Sequence, residues 1–198
     1  MVKFEDFAKL EIKVGTIIAA EKIPNADKLL KLMVDLGTEK RQLVAGLKTY
    51  YTKEEMQDRK IVVVMNLKPA TLRAVESKGM LLAAEDEKGV VSLLAPLSDE
   101  DIGVSVMGRE IESKAKKSQI SFKDFQQIEL RVGAVTENGK VDLGKESRGV
   151  KGGISSALAG KQIAVYLVKG MEEAIPLVTE YGGFITVHRS VENGAKIK

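Results

Sequence analysis

From Leu30 the apolar residues fall at every second position: Leu30, Leu32, Val34 and Leu36. That is the period of a strand with one buried face, and it puts Lys31 on the opposite face. Pro24, Asn25 and Asp27 are turn formers, so the strand follows a polar loop and ends at the turn signal Asp35-Leu36-Gly37. Ahead of the loop, Leu10, Ile12 and Val14 alternate with Glu11 and Lys13 and predict a strand running to about Ile23. Gly15 inside it predicts a bulge or sharp coil. A short helix over Phe4–Ala8 precedes this strand, and a third strand is expected over Lys40–Ala45. Thr52 with Glu55 fits a capping box and predicts a short helix ending before Lys60. Ile61-Val-Val-Val-Met65 reads as a buried strand, and residues 80–84 and 90–94 as a pair joined by the charged turn 85–89.

Many short strands, frequent turns and one helix between the third and fourth strands predict a mainly β chain, with a five-stranded barrel of OB-fold topology. The beginning then repeats. Phe122-Lys-Asp-Phe-Gln-Gln-Ile-Glu-Leu-Arg-Val-Gly133 lies over Phe4-Glu-Asp-Phe-Ala-Lys-Leu-Glu-Ile-Lys-Val-Gly15 with six identities in twelve, and Val34-Asp-Leu-Gly37 returns as Val141-Asp-Leu-Gly144. Gly15 to Val34 is 19 residues and Gly133 to Val141 is 8, so the second copy lacks the turn and strand start around 24–31. Ser77-Lys-Gly-Met80 aligns with Tyr181-Gly-Gly-Phe184. The expected organisation is a barrel over residues 1–110, a polar linker over 111–118, and a degenerate OB-like repeat over 119–198.

Composition adds little to this. The net charge is +3, and the excess lies in the second half: residues 1–110 carry 17 Lys/Arg against 18 Asp/Glu, and residues 111–198 carry 14 against 10. Such a balance permits a nucleic-acid partner without demanding one. No cysteine is present, which excludes disulfides, cysteine-based zinc sites and a cysteine nucleophile and agrees with a cytoplasmic protein. The N-terminus does not read as a signal peptide, and no apolar run has the length of a membrane span.

Four motifs in order, Pro24-Asn-Ala-Asp-Lys-Leu29, Val34-Asp-Leu-Gly37, Asn66-Leu-Lys-Pro69 and Glu76-Ser-Lys-Gly-Met-Leu-Leu82, resemble the tRNA-binding OB-fold family. That family includes C-terminal appendices of methionyl-tRNA synthetases, stand-alone tRNA-binding proteins and CsaA-type secretion chaperones. The resemblance covers roughly residues 4–108. It implies a non-catalytic tRNA-binding protein without a cofactor, acting as an accessory to an aminoacyl-tRNA synthetase. The alternative it leaves open is a CsaA-type chaperone holding unfolded exported proteins on a groove lined by Met33, Met56, Met65 and Met80. The chain departs from the family pattern at Ala45-Gly46-Leu47, Ala70-Thr71, Ala74 and Lys78. Stand-alone members resemble dimers, which implies that the second repeat docks as a covalent pseudo-partner in a monomer, with a homodimer as the alternative.

The candidate RNA-binding residues are Lys13, Asn25, Lys28, Lys31, Arg41, Lys68, Arg73, Ser77, Lys78 and Met80. Together the cations read as a phosphate-binding patch or as a solvated face. Ser77-Lys-Gly-Met80 places a hydroxyl, a cation and a permissive backbone within three residues, a cradle for a phosphate or simply a tight turn. Aromatics make up 5% of the chain, too few for a stacking platform, so recognition of folded RNA by shape and backbone is expected. Gly153 to Gly160-Lys161 has the wrong glycine spacing for a phosphate loop and Gln162 where a Ser or Thr is needed; it reads as the repeat's version of Ala45-Gly46-Leu47. His188, the only histidine, reads as structural or surface, and no catalytic constellation is found.

Overall fold

The computed structural model describes residues 4–99, 102–109 and 118–198. The predicted linker, residues 111–118, lies outside the described residues apart from Ser118. In chain order the first half holds α1 (Phe4–Ala8), β1 (Ile12–Lys22), β2 (Leu30–Asp35), β3 (Lys40–Ala45), α2 (Lys53–Met56), β4 (Lys60–Val64), β5 (Ala70–Leu72), β6 (Val75–Ser77), β7 (Met80–Leu81), β8 (Ala83–Glu85), β9 (Val91–Pro96) and β10 (Ser105–Gly108). The second holds α3 (Phe122–Phe125), β11 (Leu130–Val135), β12 (Val141–Asp142), β13 (Ser147–Val150), β14 (Gln162–Tyr166), β15 (Glu173–Thr179), β16 (Ile185–Val187) and β17 (Lys196–Ile197).

The protein is mainly β with a closed five-stranded barrel and further strands. β1 is long because it serves three neighbours, pairing with β4 and β10 along its first part and with β2 along its second. Its bend needs a bulge, which sits between Ile17 and Ala19 and not at Gly15 as the sequence predicts. Gly15 has a different cause: a Cβ there would lie 2.7 Å from Val34 Cγ1 and 3.0 Å from the Asp35 carbonyl, so two strands cross too closely for any side chain. α2 carries the predicted capping box, with the Thr52 hydroxyl accepting from the Glu55 N–H and the Glu55 carboxylate accepting from the Thr52 N–H. In the second half, β11 pairs with β12 and β14, β12 with β13, β13 in parallel with β15, and β15 with β14, which closes a ring in OB order.

The continuous apolar run in β4 follows from burial of both its faces. Ile61 and Val63 point into the first barrel, while Val62 and Val64 belong to a second core shared with the other half. β14 repeats the arrangement: Ile163 and Val165 line the second barrel, and Ala164 and Tyr166 join the shared core. There the Phe7 ring stacks on Tyr166, centroids 4.9 Å apart and planes inclined by 22°. Burial pushes the Tyr166 phenol up to about 12, with the Asp6 charge adding to it.

Three ladders run between the halves. β10 pairs with β15 through Val106 opposite Thr179, β17 pairs with β8 through Ile197 opposite Ala84, and β9 pairs with β16 about Ala95 opposite Thr186. The first two are the same contact with the roles of the halves exchanged, and the third has flanking pairs, Leu94–Val187 and Pro96–Ile185, arranged evenly about its centre. At the rim, Arg189 bonds the Glu55 carboxylate at 2.6 Å and the Tyr50 carbonyl at 3.0 Å and lies 4.2 Å above the Tyr51 ring. His188 accepts from Arg59 through Nδ1 at 2.9 Å.

The pairing also corrects the alignment of the repeats. Met80 is opposite Val64 and Ile175 is opposite Tyr166, so residues 77–80 correspond to Glu172-Glu173-Ala174-Ile175 and not to 181–184. Arg41 opposite Val34 and Arg148 opposite Val141 make Gly152-Gly153-Ile154 the counterpart of Ala45-Gly46-Leu47, at the start of the 153–161 loop to which the sequence assigns it.

Candidate nucleic-acid interface

Two segments that are far apart in sequence meet on one side of the first barrel. The loop between β1 and β2 folds Ile23 and Ala26 onto Val44 of β3, and Leu29 and Val75 pack against this small cluster. Val75 belongs to the β5–β6 hairpin, an excursion that joins no other strand ladder. Gln42 of β3 holds the hairpin's base, donating from its side chain to the Glu76 carbonyl at 2.7 Å and accepting the Lys78 N–H at 3.0 Å. In the second half the β11–β12 connection shrinks to residues 136–140, and β14 to β15 to residues 167–172, so neither segment has a counterpart there.

Around this junction the side chains are largely basic. Asn25 is exposed at φ 57°, a left-handed turn position that asparagine tolerates. Lys28 and Arg73 are exposed and make no ion pair among the described residues. Lys31 is half-exposed on the outer face of β2, 2.6 Å from Glu21 across the ladder; such a pair is worth at most about 1 kcal/mol, so a phosphate could displace the carboxylate. Sequence reasoning missed Lys22, exposed at the end of β1, and Lys48, whose ammonium donates to the Ala26 carbonyl at 2.8 Å and ties the loop to β3. Nothing in the local pattern around Lys48 signals that contact.

The hairpin tip is unusual. Arg73 and Ala74 are the two central residues between Leu72 and Val75, with φ 48° and 62°. Both left-handed is the pattern of a type I′ turn, which normally takes Asn-Gly. Neither residue favours that region, so the turn holds Arg73 outward at a cost in backbone strain.

Other candidates lie elsewhere or are already engaged. Lys13 is on β1 at the opposite end of the sheet, opposite Val63 and Ser105. It faces Glu39, whose carboxyl is held below its usual range by the hydrogen bond from Arg41 and by the Arg41 and Lys13 charges. Arg41 is a structural clip: Nη1 donates to the Met65 carbonyl at 2.6 Å and the Lys78 carbonyl at 3.2 Å, and Nη2 to Glu39 at 2.7 Å. Ser77 does not offer its hydroxyl as a phosphate ligand. It is 5% exposed, accepts the Val44 N–H at 2.9 Å and donates to the Gly79 carbonyl at 3.0 Å. Met80 is partly buried against the shared core. Lys78 is exposed and 3.4 Å from Glu76; Lys68 is exposed, two residues before the hairpin begins. A methionine-lined groove does not form, because Met56 and Met65 are buried in the first barrel.

Residues 12–105 match the family model described as "Putative tRNA binding domain". The methionine–tRNA ligase of Methanococcus aeolicus is 54% identical over 106 residues, which is 54% of this chain and 16% of that enzyme. The chain therefore spans only a small part of the curated relatives it matches. A solved structure, the MetRS-related protein of Pyrococcus horikoshii, is 39% identical with a TM-score of 0.51; the match covers 53% of this chain and 96% of that one. The chain belongs to the tRNA-binding OB-fold family. The C-terminal domain of Plasmodium vivax p43 is similar over 98% of this chain and 100% of its own, with a TM-score of 0.70 and 22% identity, so the same two-part fold occurs there.

Proposed function

We propose that this chain is a non-catalytic tRNA-binding protein that recognises folded tRNA by its shape and backbone and serves an aminoacyl-tRNA synthetase as an accessory. The observation that carries the reading is the meeting of the 23–29 loop and the β5–β6 hairpin on one small core, with Lys22, Lys28, Lys31, Lys48 and Arg73 around it. Glu21 and Asp27 in the loop and Glu76 in the hairpin oppose these five cations, so the junction keeps a net positive charge that attracts phosphates. Among the described residues, neither the 23–29 loop nor the β5–β6 hairpin carries an aromatic ring for base stacking. Tyr51 is buried, with its hydroxyl accepting the Leu93 N–H, and Tyr50 lies beside α2 next to Arg189. Contact with the phosphate backbone is therefore the mode this barrel favours.

In this reading the second half takes the place of a partner subunit. Its support is the reciprocal pairing of β10 with β15 and of β17 with β8, about the evenly flanked β9–β16 ladder, an arrangement typical of two-fold interfaces. Having lost the loop and the hairpin, the second barrel serves packing, and each chain carries one RNA face.

Titration of full-length protein with unfractionated tRNA at several salt concentrations tests the function. With about five phosphates neutralised, log K falls against log[salt] with a slope of roughly −3.5 to −4.5. No binding at low salt, or a slope near zero, refutes it. Lys28→Glu and Arg73→Glu each flatten the slope by about one phosphate's share.

A further inference from the structure

We propose that Phe122, from the second half of the chain, stacks on an unpaired RNA base beside Lys68 and Lys123 and so extends the RNA face across both halves. The inference rests on the tRNA-binding reading and adds a base contact to it.

Phe122 is 53% exposed. One side of its ring is backed by Phe125, with centroids 6.4 Å apart and planes inclined by 21°, and Phe125 itself is buried. The pair thus presents an open aromatic face on a firm support, which is what a stacked base requires. The backbone that carries the ring is also held in place. The Ser121 hydroxyl accepts the Asp124 N–H at 3.1 Å, and the Asp124 carboxylate accepts the Ser121 N–H at 3.2 Å, which caps α3 reciprocally, with a further bond from the Ser121 hydroxyl to that carboxylate at 2.6 Å. Just upstream, Ile120 is bonded on both sides of Leu67: its N–H donates to the Asn66 carbonyl at 2.9 Å, and its carbonyl accepts the Lys68 N–H at 2.9 Å. Asn66 also donates its side-chain amide to the Ser118 carbonyl at 2.8 Å. α3 is therefore attached to the strand of backbone that leads into the β5–β6 hairpin.

That attachment sets the electrostatic surroundings. Lys68 and Lys123 are exposed and make no ion pair among the described residues, and both charges act on the Asp124 carboxyl, which the Ser121 hydrogen bond already holds below its usual range. Ala70 opposite Ser77 puts Lys78 level with the start of the hairpin, at the end where Lys68 and the attachment of α3 lie, with Glu76 between this group and the Arg73 tip. The other strongly exposed ring, Tyr181, differs: it adjoins Glu180 on a turn bonded to Ser105 and has no such cations beside it in sequence.

The test compares full-length wild type with Phe122→Ala, Phe122→Leu and Phe122→Trp by titration of tRNA and of fully double-stranded RNA. Stacking predicts that Ala and Leu each weaken tRNA binding about tenfold, toward the lower end of what one base–aromatic contact supplies. The salt slope stays unchanged, because no phosphate contact is lost, and binding to double-stranded RNA stays unchanged too. Trp retains tRNA affinity. As the chain's only tryptophan, it should show fluorescence quenched by tRNA and not by the duplex. Leu binding as well as wild type would assign Phe122 a packing role, and Ala binding as well as wild type would remove it from the interface; either overturns the inference while leaving tRNA binding intact. Failure of the wild type to bind tRNA overturns the function itself.

Discussion

If the core shared by the two halves is one cooperative unit, damage on one side must destabilise the other. Phe7→Ala is the sharpest perturbation, since Phe7 belongs to α1 of the first half and its ring rests on Tyr166 of the second. Both rings are buried, so truncation removes a large apolar side chain and leaves a cavity that β14 cannot refill. Deletions of this kind cost about 3–5 kcal/mol. For a chain of this length each kcal/mol moves the melting point by about 2–4 °C, so a fall of roughly 10 °C or more is expected. The ring pair itself adds about 0.5–1.5 kcal/mol beyond its buried area, which a double-mutant cycle of Phe7→Leu with Tyr166→Leu isolates. Urea unfolding gives the total, and native-state hydrogen exchange locates it. Protection should drop together at Leu32 in the first barrel and Val165 in the second. A loss confined to residues 4–109, or two separate unfolding transitions with the second unmoved, would refute the shared core as a single unit.

Three further outcomes follow from particular residues. Ala74→Gly relieves a left-handed alanine at φ 62°; it should stabilise the chain by about 0.5–1 kcal/mol in urea unfolding, the left-handed penalty less the added freedom of the unfolded chain. The Tyr166 phenol is raised from 10 to about 12 in the fold, so the folded chain keeps a proton that the unfolded chain releases; the stability it contributes is complete below pH 10 and lost as pH rises toward 12, and Tyr166→Phe should flatten that alkaline loss in melting curves. Light scattering should find the full chain monomeric and a 1–110 fragment dimeric or aggregated, because the fragment exposes the shared apolar core; a dimeric full chain with a monomeric fragment removes the pseudo-partner reading.

Elements whose side chains sort cleanly by face were legible in the sequence. β2 alternates without exception, β4 shows an unbroken β-branched run because both its faces are buried, and Thr52 with Glu55 announces α2. The β5–β6 hairpin gave no such signal, since most of its residues are exposed and its turn carries Arg73-Ala74 where turn chemistry calls for glycine. β10 was equally silent: four residues whose partners lie on β1 and, far along the chain, on β15. For the candidate site, residue type identified the cations but not what they already hold. Arg41 and Ser77 spend their hydrogen bonds on backbone groups brought close only by barrel closure, while Lys28 and Arg73 remain open.

The three ladders between the halves also bear on dilution. Two barrels on separate chains meet by collision, and their association fades once concentration falls below the dissociation constant. Here both barrels belong to one chain, and short tethers of this kind hold their ends at effective concentrations on the order of millimolar. The pairing of β8 with β17, β9 with β16 and β10 with β15 is therefore a first-order property of the molecule. A protein present at nanomolar levels keeps its assembled architecture, and RNA encountering it always meets the same surface.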